Sequence, residues 1–277
     1  MHTGYYFGTF LAGIVNYWIG SRYGWRAVFA TGGAPALLIA FIQYGVREPE
    51  KWRERVSNLE RRWRSRDAFL ALFSDEYRRR TIVNSVLLLI SMVGLWAGSV
   101  YVPSSVTYLA TRDGFTVAAA ARLASYATML LSVGTILGCL ALPWAAERYG
   151  RRASLGFYFL LMFLCVSVGF GYVFYLPNHA LLWFLVFLFF LGVGGANFAV
   201  YTLWLPEQYR TECRGSAFAF ATSFGRFFAA GITFLVGAGV SHMHTIGTPV
   251  ALTSVAFLLG IALLPFGEET RGKELPV

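Results

Sequence analysis

Eight apolar stretches, each close to the length needed to cross the hydrocarbon core of a bilayer, dominate this sequence. They are Gly4–Gly20, Ala27–Val46, Thr81–Leu109, Leu123–Ala146, Ala153–Leu176, Ala180–Pro206, Gly215–Val240 and Thr245–Gly267. The fourth helix is expected to start a turn or two before Leu123. Only the seventh stretch holds a charge, Arg226. A backbone N–H or C=O inside lipid finds no water, so every stretch is predicted helical. A membrane barrel would show short segments of alternating polarity, and these are absent. The first stretch is short enough for a signal peptide. It lacks a basic leader, however, and a second apolar stretch follows within a few residues. The predicted fold class is an all-α membrane protein with about eight transmembrane helices.

The composition agrees with that class. Apolar residues make up 57% of the 277 residues and charged residues 13%. A soluble domain carries roughly 25% charged residues, so this chain is too poor in them to cover a water-facing surface. The net charge of +9 sits between the apolar stretches, as basic loops, and nucleic-acid binding is not expected. The cysteines Cys139, Cys165 and Cys213 have neither metal nor redox spacing. His242 and His244 read as solvated loop residues, since no further ligands lie near them in sequence. No metal or cofactor is expected. No nucleophile, base or metal cluster lies at membrane depth, so the chain is not read as an enzyme.

Alternating the eight spans puts the N-terminus, 47–80, 147–152, 205–214 and the tail on one side. That side carries 18 Lys and Arg residues against 4 on the other, where Arg22, Arg26, Arg112 and Arg122 lie. The positive-inside rule then makes it cytoplasmic, with both termini. The polar stretch 47–80 has Glu and Arg at helical spacing and reads as an amphipathic surface helix. Glycines recur within the spans, among them Gly134, Gly138, Gly192 and Gly194, and are expected to let helices approach closely.

Four segments together resemble the major facilitator superfamily of transporters. GWR at 24–26, an apolar helix and VREPEKW at 46–52 are similar to the end of the family's sixth helix. PWAAERYGRR at 143–152 resembles the loop motif G-x-x-x-D-R-x-G-R-R, with Pro143 for Gly and Glu147 for Asp. LPEQYRTECRG at 205–215 is similar to the pattern before the eleventh helix. EETRGKEL at 268–275 resembles the P-E-T-[KR]-G-x-x-L tail, with Glu268 for Pro. The resemblance implies helices five to twelve of a two-bundle carrier, without the first four. Residues 1–46 would be the last two helices of the N-terminal bundle and 47–80 the inter-bundle loop. Residues 81–267 would form the C-terminal six-helix bundle and 268–277 the cytoplasmic tail. The implied activity is transport of a small organic solute, an anionic metabolite or a sugar, by proton-coupled alternating access in a cell inner membrane. Its partners would be that solute, a proton or other coupling ion, and membrane lipid; the oligomeric state stays open. A non-transporting fragment or membrane component is the alternative. In proton-coupled relatives the proton-carrying carboxylates often lie in the first helices, and none of the eight stretches here holds Asp or Glu.

Charge at membrane depth is costly and usually faces a bundle interior. Arg226 follows Gly215 by 11 residues, which places it about 16 Å into its span. It is read as an anchor for an anionic solute, or as a structural Arg bonded to helix carbonyls. Asn197 and Tyr201 share one helix face. With Trp96, Tyr126 and Thr128 they are the polar and aromatic residues expected to complete a site, packing being the competing role of each aromatic. Arg122 is expected to snorkel to the outer surface. In the loop motifs, Glu147, Arg148, Gly150, Arg151 and Arg152, and likewise Glu207, Arg210 and Arg214, are expected to act as ion-pair latches or as membrane anchors. The arginines would pair with helix-end carbonyls or lipid phosphates, and Glu147 with an Arg on a neighbouring helix.

Overall fold

The computed structural model describes residues 2–45, 65–273 and 276, and the regular structure among them is helical throughout. Helix α1 spans His2–Val15 and runs into a π-helical turn, Asn16–Gly20. Next come α2 (Trp25–Gly32), α3 (Ala34–Gly45) and α4 (Ser65–Ala71). The long helices are α5 (Arg78–Arg112), α6 (Val117–Tyr149), α7 (Arg151–Gly171) and α8 (Ala180–Gly195), which continues as α9 (Asn197–Trp204). Helix α10 spans Thr211–Met243, followed by α11 (Gly247–Leu252), α12 (Val255–Leu263) and a 3-10 turn, Leu264–Phe266.

Among the described residues, five helical segments are long and apolar enough to cross a membrane. They coincide with the fourth to eighth stretches. Helix α5, 35 residues long, covers the third stretch. The first two stretches depart from a regular α-helix. The π-turn interrupts the first, and the second divides at Gly33, just before Pro35 in the opening turn of α3. A proline is tolerated there because a first-turn N–H has no intrahelical partner. The sixth and eighth stretches each contain a turn, at Ala196 and at Thr253–Ser254. Most of the amphipathic segment, with the VREPEKW motif, lies outside the described residues. Its described end, α4, lays Phe69 and Phe73 against Phe220 of α10, with ring centroids 5.8 and 5.3 Å apart.

Helix α6 starts at a capped N-terminus, where Thr116 Oγ1 accepts from the Ala119 N–H at 3.4 Å. It ends at Gly150, whose φ of 94° is easy only for glycine and turns the chain straight into α7. Helices α5 to α12 pack as one bundle. Helix α6 lies between α1 and α8, and α5 lies between α6 and α10. In lipid there is no hydrophobic drive between helices, so close backbone approach carries the packing. A Cβ at Gly134 would strike the Phe189 carbonyl, and one at Gly192 the Leu131 carbonyl. Neither obstacle is a side chain that can swing away. Gly192→Val is therefore expected to push α6 and α8 apart and cost about 3 kcal/mol. A thermal unfolding midpoint in detergent at or above wild type would contradict this.

Candidate functional site

Among the described residues, two places stand out as candidates for function. The first is the bundle end where the 147–152 turn, the 205–210 segment and the tail meet. Arg151, at the start of α7, donates from Nη2 to Glu207 Oε1 at 2.7 Å and from Nε to Oε2 at 3.0 Å. This two-pronged fit matches the guanidinium fork to the carboxylate. The pair is 12% and 16% exposed. Arg151 Nη1 also reaches the Ala146 carbonyl, at 3.0 Å in the last turn of α6, and Thr270 Oγ1 donates to Glu207 Oε2. The tail closes the network. Glu269 accepts from the backbone N–H groups of Arg151 and Arg152 at 3.0 and 3.1 Å, capping the free N-terminus of α7 from another part of the chain. Glu268 pairs with Arg80 at 2.6 Å and Lys273 at 2.9 Å, and its carbonyl accepts from Trp204 Nε1 at 2.8 Å. The tail thus joins α5, α7 and α9. The sequence groups Glu207 with Arg210 and Arg214, but its partner is Arg151. Arg210 instead stands exposed before α10, and Arg214 donates to the Tyr209 carbonyl at 3.3 Å. Glu147 is exposed and makes no ion pair with a described residue, and Arg148 lies over the rings of Trp144 and Tyr149.

Burial raises the pKa of Glu269, but the four backbone N–H groups of Arg151, Arg152, Arg271 and Thr270 outweigh it and hold the carboxyl below its ordinary value. A carboxyl with a depressed folded pKa stabilises fully above its unfolded value, about 4.3, and the contribution vanishes as pH falls through the folded pKa. The unfolding midpoint is therefore expected to hold from pH 7 to about 5 and drop below about 4. Glu269→Gln should flatten that drop. An equally steep acid loss in the variant would place it elsewhere.

The second place is a cavity of about 320 Å³ between α1, α5 and α6, at the small end of the range for ligand sites. Trp96 and Thr128 line it, as do Tyr5, Tyr6, Thr9 and Ser132. Tyr5 and Tyr6 meet edge to face, 5.2 Å between centroids. The hydroxyls of Thr9, Thr128 and Ser132 donate back to their own helices. Neither Tyr5 Oη nor Trp96 Nε1 has a hydrogen-bond partner among the described residues, so two donors and several acceptor lone pairs are unspent. Sequence reading found Trp96 and Thr128 but missed the α1 wall. Its available signal was the spacing of Tyr5, Tyr6 and Thr9 on one helix face.

The structure does not bring the other expected site residues to this cavity. Tyr201 is fully buried, its hydroxyl 3.0 Å from Ser91 Oγ, and pins α9 to α5. Asn197 is buried and donates to the Gly194 carbonyl at 2.8 Å, with its Oδ1 unpartnered. Tyr126 lies on the opposite face of α6 from Thr128, against Tyr17 and beside Arg122. Arg226 is exposed on α10, with no hydrogen bond or ion pair to a described residue. Its neighbour Gly225 packs on Leu88, Leu89 and Met92 of α5, and Trp96 follows Met92 by one turn. Arg226 and the cavity therefore sit at similar depth, with α5 between them.

Known proteins resemble this chain in sequence and in fold. The sequence profile of the Major Facilitator Superfamily matches residues 1–233. A probable 4-methylmuconolactone transporter from Cupriavidus pinatubonensis is 28% identical over 92% of this chain and 56% of its own length. The 4-hydroxybenzoate transporter PcaK of Acinetobacter baylyi is 24% identical, over 82% of this chain and 53% of itself. The niacin transporter NiaP of the same organism is 25% identical, over 97% and 64%. The chain thus spans between about half and two-thirds of the length of these curated relatives. The inward-open xylose transporter XylE from E. coli has the same fold, with a TM-score of 0.56 at 22% identity, over 69% of this chain and 48% of that one. The chain is a multi-pass membrane protein, and it belongs to the major facilitator superfamily of transporters, which are not enzymes.

Proposed function

We propose that this chain forms the C-terminal bundle and part of the substrate wall of a secondary transporter for small organic carboxylates. The observation that carries the reading is Arg226, a mid-depth guanidinium with no carboxylate partner among the described residues. An unpaired charge in lipid is costly, so an anionic solute is the partner that completes it. The aromatic cavity lies at similar depth on the other side of α5, and its free Tyr5 and Trp96 donors would line a separate part of the solute's path. The names of the relatives, among them transporters for 4-hydroxybenzoate, niacin and cis,cis-muconate, favour organic acids over sugars. Asn197 and Tyr201 support the site from behind α5. Arg151, Arg152, Glu207 and the tail act as a latch that holds the bundle end together while bundles rock. Their basic side faces the cytoplasm of a cell with an inner membrane, and both termini lie there.

The transport is driven by a proton gradient. Binding is tested by quenching of Trp96 fluorescence, taken as the component lost in Trp96→Phe. 4-Hydroxybenzoate should quench it saturably and xylose should not. Quenching by xylose alone would overturn the substrate class. Uptake that survives a protonophore unchanged would overturn the coupling.

A further inference from the structure

One side of α6 carries a pattern that neither the latch nor the cavity uses. Tyr126, Val133, Leu137, Leu140 and Trp144 are exposed and recur at helical spacing on one face. It is the side away from Thr128, which lines the central cavity. Arg122 stands one turn before Tyr126 and Arg148 one turn after Trp144. These arginines are 26 residues apart, about 39 Å along the helix, close to the full thickness of a bilayer with its headgroups. Each lies near aromatic rings, Arg122 at 5.9 Å from that of Tyr17 and Arg148 at 5.5 and 5.8 Å from those of Trp144 and Tyr149. An aromatic ring beside a basic residue is what a helix shows where it crosses a membrane interface. This face of α6 therefore meets lipid, with Arg148 at headgroup level.

Beneath Arg148 the surface is hollow. A groove of about 700 Å³ opens between α6 and α7, with Val193 of α8 at its back. Small residues such as Ala141 leave the room, and Trp144, Tyr149 and Phe157 wall it. Its lining is almost wholly apolar, so it offers an organic anion nothing to bind. Arg148, over the Trp144 and Tyr149 rings that wall it, has no ion pair with a described residue, whereas nearby Arg151 is neutralised by Glu207.

We propose that this groove binds an anionic phospholipid, with an acyl chain between α6 and α7 and the phosphate on Arg148. The apolar hollow fits the chain. The uncompensated guanidinium selects a headgroup with net negative charge over a zwitterionic one, because it leaves no second positive charge to accommodate.

The test uses the chain reconstituted in phosphatidylcholine vesicles that contain a minor fraction of lipid with a dibrominated acyl chain. Bromine quenches nearby tryptophan, and the component lost in Trp144→Phe reports the groove. Brominated phosphatidylglycerol should quench that component at about tenfold lower mole fraction than brominated phosphatidylcholine. Arg148→Gln should erase the preference and keep the quenching. Ala141→Phe should fill the groove and weaken quenching by both lipids. Equal quenching of the wild type by the two lipids would overturn the proposal. So would a preference that survives Arg148→Gln, or quenching untouched by Ala141→Phe, as expected if a second copy of the chain covers this face.

Discussion

Glu207→Ala is expected to cost about 3 kcal/mol of stability and to lower the unfolding midpoint in detergent by several degrees. The carboxylate holds both prongs of Arg151 and the Thr270 hydroxyl in a place largely shielded from water. Removing it leaves a guanidinium with only the Ala146 carbonyl to satisfy it. An exposed ion pair is worth little, because water screens it and two long side chains must be immobilised. This pair differs in its burial, its bidentate geometry and its ties to the tail. Arg151→Ala should cost a similar amount. The double variant should lose less than the two single costs added together, since neither partner is then left unpaired. Additive losses would show that the two residues act separately. The Arg80–Glu268 pair is more exposed, with both side chains at 31%. Arg80→Ala should therefore cost less than Glu207→Ala.

Arg226→Gln is expected to act the other way, on transport and not on stability. Its side chain is exposed and bonds to no described residue, so the variant should unfold within about 1 kcal/mol of wild type. Losing a bidentate contact to a carboxylate solute costs about 1.5–3 kcal/mol, which corresponds to a ten- to hundredfold fall in apparent affinity. Arg226→Lys keeps the charge but loses the fork, so it should recover part of the affinity and not all of it. Carboxylate uptake measured against concentration separates these effects. An Arg226→Gln transporter with unchanged KM would remove the anchor, and a large stability loss would make Arg226 structural.

Much of the fold was legible in the sequence because a bilayer imposes so simple a rule. A stretch of about 20 residues with at most one charge must satisfy its own backbone, and the helix is the local way to do so. The fourth to eighth stretches follow that rule. The rule says nothing about where a helix bends. The π-turn at Asn16–Gly20 and the turn at Ala196 do not follow from it. The site was legible only in part. Trp96 and Thr128 stand out as polar or aromatic residues at mid-depth, and the structure puts them on one cavity. Tyr126 has the same credentials, yet two positions along a helix turn a side chain by about 200°, so it faces away from Thr128. Asn197 and Tyr201 share a face as spacing requires, but that face turns towards Ser91 and the core. Depth is written in sequence position, whereas facing also depends on which helices come to lie alongside. The same holds at the bundle end. Glu207 and Arg151 are 56 residues apart, and no local pattern marks them as partners. The tail motif was visible, but not that Glu269 caps α7.

The central claim is that this chain belongs to a carrier of organic carboxylates, and solute counterflow tests it most directly. Vesicles containing the reconstituted transporter are loaded with unlabelled 4-hydroxybenzoate and diluted into a trace of the labelled compound. The account predicts transient accumulation of label that excess niacin suppresses, that xylose leaves untouched, and that Arg226→Gln abolishes at the same trace concentration. Accumulation driven by xylose with no response to carboxylates would contradict it, as would full accumulation in the Arg226→Gln vesicles.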